Sequence, residues 1–275
     1  MRIGVHNSTN GGILNVIKEI KFLKTNATQF FIHSPRIWDI KEIDENEKKI
    51  FKDSIKRLDI FPVVVHSSYL INPLSKNIET VEKSKNLLES ELKKSAGISD
   101  YYVLHIKENR DETLDENIKK LINFFKKLKL NDSIKILFEN SAWGLTSDIK
   151  NLFKFYNSLK DYSPVYGLCL DTAHIYEAGY DIRTKDGVER ILKDLKEISN
   201  LKLIHLNDSK TELSSHTDRH FHIGRGKIGI DGFKNFFEFK EFRKIPLILE
   251  TPKKDIKDDL KNLRIVNKII GGKYG

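Results

Sequence analysis

One cysteine in 275 residues leaves Cys169 nothing to pair with inside the chain. An intramolecular disulfide is therefore excluded, and a reducing compartment fits. Within GLCLD, Cys169 reads as a small apolar core residue rather than a nucleophile. Nor does any stretch reach the ~18 apolar residues that a membrane span requires, and the opening MRIGVHNSTNGG has no apolar signal region. The expectation is a soluble, cytoplasmic chain with no membrane partner. A Pro/Gly/Ser-rich linker and low-complexity tracts are missing too, so one domain over 1–275 is expected. The spacing Gly-x-Gly-x-x-Gly does not follow the first apolar run (GGILN at 11–15 lacks it), which disfavours an open doubly wound sheet.

Positive charge is in excess, 48 basic against 39 acidic residues for a net charge of +9. That balance favours polyanions, nucleic acid foremost, although the lysines are spread along the chain as they would be for solubility alone. A hydrophobic share of 39%, with 16 Phe and 9 Tyr, is a globular composition.

Eight short apolar runs read as strands, at 2–6, 28–33, 61–66, 101–106, 134–139, 165–171, 201–206 and 245–250. They are continuous rather than alternating, as in parallel strands covered on both faces. Between them lie Lys/Glu-rich segments with apolar residues at helical spacing, such as Val81, Leu87, Leu88 and Leu92. Further sets are Leu121, Phe124, Phe125 and Leu128, then Ile191, Leu195 and Ile198. Eight βα units in a chain of this length predict an α/β fold, a single (β/α)8 TIM barrel.

Six of these runs end in a residue that can hold a metal: His66, His105, Glu139, Asp171, His205 and Glu250. Active sites of such barrels sit at the C-terminal ends of the strands, so these six are expected to converge on one mouth. His174, Asp218 and His220 in nearby loops complete nine candidate ligands. Five imidazoles and four carboxylates without a thiolate suit Zn²⁺, Mn²⁺ or Fe²⁺ in a catalytic site better than a structural zinc. Nine are too many for one ion; two or three fit, with a carboxylate such as Glu139 able to bridge. Each has a plainer reading: Asp171 as a helix cap, Glu250 as a buried carboxylate paired with a lysine, a strand-end histidine as a hydrogen-bonded structural group. His6, His33, His216 and His222 are weaker candidates, the last two as substitutes in the Asp218/His220 region.

The phrases HSSYLIN at 66–72, FENSA at 138–142, LCLDTAHIYEAGYD at 168–181, HLNDSK at 205–210, DRHFHIGRGKIG at 218–229 and LILETP at 247–252 resemble, in order and over nearly the whole chain, the endonuclease IV family of apurinic/apyrimidinic endonucleases. The resemblance implies a zinc-dependent DNA repair phosphodiesterase. It would cut duplex DNA 5′ to an abasic site, leave a 3′-hydroxyl and clean blocked 3′ ends. It implies three Zn²⁺ per chain, with Mn²⁺ or Fe²⁺ able to replace some, and a metal-bridging hydroxide as nucleophile. His66, His105 and Glu139 would hold the first zinc. Glu139, Asp171, His205 and Glu250 would hold the second, and His174, Asp218 and His220 the third, with Glu139 and Glu250 central to catalysis. Arg36 and Tyr69 would contact DNA, and a monomer is expected.

The chain departs from the family's pattern in four loops. HIKEN at 105–109 stands where a Pro-Gly turn follows the ligand histidine, and Trp143 stands in FENSAWG. Arg225 occupies a place where an acidic residue is common, and Pro35 precedes Arg36. None removes a ligand. The alternatives are a single-metal sugar isomerase or epimerase of the xylose-isomerase-like barrel type, which needs only four ligands, and a non-catalytic binder of damaged DNA.

Overall fold

The computed structural model describes residues 1–39, 42–129, 134–162 and 164–271, so parts of the expected 1–275 unit, including 272–275, lie outside the described residues. All eight apolar runs form strands. They are β1 (Ile3–Val5), β2 (Thr28–Phe31), β3 (Val63–His66), β4 (Tyr101–His105), β5 (Lys135–Glu139), β6 (Val165–Asp171), β7 (Leu201–His205) and, after a short antiparallel pair β8 (Asp208–Ser209) and β9 (His220–Phe221), β10 (Leu247–Leu249). The eight long strands form one parallel sheet in the order β1-β10-β7-β6-β5-β4-β3-β2.

The sheet closes between β1 and β2 through a single parallel bridge, His6 with Gln29. At this seam a β-carbon on Gly4 would lie 2.2 Å from the Ala27 carbonyl oxygen, so glycine is what permits the approach. Three strands begin directly after a proline, and two of them, β3 and β10, therefore start later than their apolar runs. Pro62, Pro164 and Pro246 stand just before β3, β6 and β10. Each lacks an N–H, yet its carbonyl accepts from a neighbouring strand, from Thr28, Ile136 and Ile204 respectively.

Helices cover the outside: α1 (Leu14–Leu23), α2 (Glu45–Arg57), α3 (Ile78–Ser95), α4 (Leu114–Lys126), α5 (Ile149–Leu159) and, after the short α6 (Thr172–Glu177), which is buried and follows β6 directly, α7 (Lys185–Asp194), α8 (Gly229–Glu238) and α9 (Ile256–Ile270). Their starts are written locally. Thr113 and Glu116 form a reciprocal capping box on α4, and Asp44, Asn77 and Asp255 cap α2, α3 and α9. The pattern Ile191, Leu195, Ile198 is only partly helical: α7 stops at Asp194, and Ile198 opens a 3-10 turn after Lys196 takes a positive φ of 62°. None of the described helices is long and apolar enough to cross a membrane.

The barrel interior is a separate apolar cluster of Ala27, Val64, Tyr101, Val103, Leu137, Cys169, Leu203 and Ile248. Side chains alternate faces along a strand, so the residue two positions on points the same way. Two residues after Val64, Val103, Leu137, Cys169, Leu203 and Ile248 stand His66, His105, Glu139, Asp171, His205 and Glu250. One apolar plug thus carries the six strand-end candidates on its upper rim.

Candidate metal centre

The same two-residue step continues around the barrel onto the two strands outside the set of six, β1 and β2. Ala27 is followed by Gln29 on β2, and Gly4 by His6 just past β1. Gln29 is buried and sits across from Val64 in the ladder, which turns it inward. Its amide Oε1 accepts from Nε2 of His205 at 2.8 Å, and its Nε2 donates to Oε1 of Glu250.

Glu139 is the centre of the site and is fully buried. Its two oxygens are divided: Oε2 lies 2.9 Å from His105 Nε2 and 3.3 Å from His66 Nε2, while Oε1 lies 2.8 Å from His205 Nδ1. His205 Nδ1 is also 3.3 Å from Glu250 Oε2. Among the described residues, five overlapping groups have their donor atoms within 4.8 Å of one another: His66, His105 and Glu139; Glu139, Asp171, His205 and Glu250; His66, His205 and Glu250; Glu139, Cys169 and His205; and Asp171, His174 and His220. Asp218 stands at the edge of the last, more than half exposed, with Oδ1 3.3 Å from His174 Nε2 and 3.6 Å from His220 Nε2.

The outer contacts of the imidazoles fix which nitrogen faces inward. A carbonyl oxygen only accepts, so a ring nitrogen against one must carry the proton. His66 Nδ1 donates to the Ser67 carbonyl at 2.9 Å, His174 Nδ1 to that of Asn140 at 3.0 Å, and His220 Nδ1 to that of Glu250 at 3.3 Å. In the neutral rings, the Nε2 lone pairs of all three point at carboxylates or at one another. His205, held at Nε2 by Gln29, presents Nδ1 instead. Lone pairs and carboxylate oxygens converging in a buried space need a cation between them, either protons or metal ions. The N/O composition fits divalent metals such as Zn²⁺.

The electrostatics describe the proton alternative. Burial alone would depress His66, His174 and His205, but the facing carboxylates outweigh it and raise all three. Burial would raise Glu139 and Glu250, yet the surrounding imidazoles hold both well below the usual carboxylate range. Asp218, despite its own desolvation, is brought down to about 2 by His174 and His220. Burial pushes the Cys169 thiol up to about 12, so it stays protonated and forms part of the floor below Glu139 and His205.

Several plainer readings are settled by contact. Asp171 caps α6 through Oδ1, which accepts from the amides of Ala173 and His174, while Oδ2 faces His220 at 3.4 Å and accepts from Asn207 at 2.6 Å. Cap and cluster member are thus one residue. Glu250 meets His6, Gln29 and His205 among the described residues, and Lys253 reaches the His6 carbonyl and Asp259 instead of it. His216 turns to the Ala142 carbonyl, His222 to Asn262 and His33 to Glu91; none joins the clusters. Gln29, Asn140 and Asn207, which orient the cluster, had one signal in the sequence: a polar residue inside or at the end of an apolar run.

A cavity of about 270 Å³ opens over the clusters, lined by residues including His105, Asp218 and Tyr69. Tyr69 and Arg36 are both exposed, on the loops after β3 and β2. The two loops are tied together: Ser68 Oγ and the Tyr69 amide both donate to the Pro35 carbonyl, at 2.8 and 3.1 Å. Buried Glu91 of α3 braces both from beneath, meeting His33 at 2.7 Å, the Ser68 amide at 3.3 Å and the Tyr102 hydroxyl. The HIKEN departure forms an ordered turn, in which Lys107 donates to the Tyr69 carbonyl and Asn109 is locked against Asn117. The turn carrying Arg225 is pinned by Asp208, which accepts from the amides of Gly226 and Ile228 at 3.0 Å each, leaving Arg225 exposed.

Residues 17–266 match a family model described as a xylose isomerase-like TIM barrel. A "Probable endonuclease 4" of Halothermothrix orenii is 39% identical over 276 residues, covering 97% of this chain and 98% of the relative. The crystal structure of endonuclease IV from Thermus thermophilus superposes with a TM-score of 0.85 at 28% identity, over 98% of this chain and 99% of that one. A 3-keto-D-glucoside 4-epimerase from E. coli, at 15% identity and a TM-score of 0.67 over 98% of this chain and 99% of its own, shares the fold alone.

Proposed function

The chain belongs to the endonuclease IV family, and we propose that it is a zinc-dependent phosphodiesterase that cuts duplex DNA 5′ to an abasic site and also trims blocked 3′ ends. The observation that carries this reading is the inward set of imidazole lone pairs around a buried, divided carboxylate. Such a set is built for several cations rather than one. His66, His105 and Glu139 would hold one zinc; Glu139, Asp171, His205 and Glu250 a second; His174, Asp218 and His220 a third. Bound there, zinc would supply a nucleophilic water at neutral pH and offset charge on the phosphate and the leaving oxygen.

The protein's own groups do the rest. Glu139 would serve two of these sites at once, because its two oxygens are committed to opposite sides. Gln29 holds His205 in the tautomer that presents Nδ1 and holds Glu250 beside it. Arg36 and Tyr69 stand exposed on two braced loops, suited to entering a base stack where a base is missing. An abasic nucleotide loses no pairing when it is turned out, which favours it over an intact one. The basic surface would neutralise phosphates and make binding salt-dependent. On this reading the chain works as one domain and a monomer, in the compartment that holds DNA.

The test is incision of a duplex carrying a tetrahydrofuran abasic analogue by wild type and by Glu250→Gln. A loss of on the order of 10²-fold or more in kcat is expected for a group that holds a catalytic metal. Undiminished incision by the variant would refute the assignment of Glu250.

A further inference from the structure

Trp143 is two-fifths exposed on the loop after β5, and the guanidinium of Arg110, from the loop after β4, lies 3.7 Å from its ring centroid. Both partners rise from fixed backbone. The Trp143 loop is closed by Ser141 and Thr146, bonded amide to carbonyl at 3.3 Å and hydroxyl to hydroxyl at 3.1 Å. Gly144 takes a φ of +84° against the Glu108 carboxylate, which accepts from the Leu145 amide at 2.8 Å. Arg110 follows buried Asn109, whose amide donates to Asn117 at 2.8 Å. Three residues before Trp143, the Asn140 carbonyl accepts from His174. The stack therefore stands on the two loops that continue from His105 and Glu139, and these contacts hold it there before any ligand arrives.

An exposed indole beside a guanidinium matches a nucleotide: the ring stacks a base, and the arginine meets a phosphate. Bases inside a duplex are already stacked and gain nothing from such a platform. We propose that Trp143 and Arg110 form a stacking subsite for an unpaired nucleobase at the lesion, further round the mouth from Arg36 and Tyr69. This rests on the DNA-cleaving reading above.

The chain has two tryptophans, so a Trp38→Phe variant reports Trp143 alone. Its emission is followed on mixing with a tetrahydrofuran duplex and with the intact duplex, while anisotropy of the end-labelled DNA reports association separately. The expected result is quenching by the lesion duplex only. With it, Trp143→Ala should raise the KM for incision about 5-fold or more, as loss of a base–aromatic stack does, at little change in kcat, and Trp143→Phe should retain most of the affinity. Lesion-specific association without a change in emission, or equal quenching by intact DNA, would overturn the subsite and leave the proposed activity standing. Absence of any lesion-specific association would overturn both.

Discussion

Nε2 of His174 and Nε2 of His220 face each other at 3.2 Å, while Nδ1 of each ring is committed to a carbonyl oxygen, Asn140 for the first and Glu250 for the second. Two neutral rings so held repel, and a shared proton or a metal ion removes the repulsion. The same opposition recurs between His66 and Glu139. Protons and metal ions would thus compete for the same positions.

A pH dependence of the metal-free protein follows. His66, His174 and His205 are raised, so their stabilisation is fully present below their unfolded value of about 6.5 and is lost as pH rises through the folded values. Glu139 and Glu250 are depressed, so theirs is present above about pH 4.3 and is lost as pH falls through the folded values. His6, depressed by burial, opposes the three histidines but is a single group. Chelated protein should therefore melt at highest temperature between roughly pH 4.5 and 6.5, and lower at pH 8. A melting temperature that climbs steadily from pH 5.5 to pH 8 after chelation would contradict this.

Gln29→Ala should weaken metal retention. The change frees His205 to rotate or switch tautomer and removes a donor from Glu250. A loss of about 10- to 100-fold in metal affinity is expected from such an outer contact. Competition against a fluorescent zinc chelator measures it, and unchanged retention would mean that packing alone holds the ring of His205.

Glu91→Gln should separate substrate binding from metal binding. Glu91 touches no cluster residue but braces His33 and Ser68, and through them the loops of Arg36 and Tyr69. KM for lesion duplex should rise while metal content stays at the wild-type level. A parallel fall in metal content would show that the brace serves the cluster instead.

Gly4→Ala should destabilise the fold. Its methyl group would meet both the Ala27 carbonyl at 2.2 Å and Ile248 Cδ1 at 2.8 Å, at the seam where one bridge closes the sheet. Overpacking of this kind costs roughly 1–3 kcal/mol. Chemical denaturation of the variant checks it, and wild-type stability would mean that the seam opens without penalty.

Most of this architecture was legible in the residues. Parallel strands buried on both faces leave continuous apolar runs, and all eight were readable with ends off by a residue or two. The six strand-end ligand types were legible because each run breaks at a polar residue where the barrel's mouth begins. Gln29 was not, because it lies inside the run TQFFI, and only the step of two from Ala27 places it on the rim. His6 ends the run 2–6, but its place beside Glu250 was not legible, because β1 and β10 lie at opposite ends of the chain and meet only when the barrel closes. The pairing of Arg110 with Trp143 joins loops of two different strands, and no local pattern encodes such a contact.

The most direct test of the account is metal content of the purified protein by elemental analysis, read together with incision of an abasic-site duplex before and after chelation. The account predicts close to three zinc ions per chain, with cleavage lost on chelation and restored by added zinc. A single metal per chain and no cleavage would contradict it, and would point to a sugar isomerase or epimerase working on the same barrel.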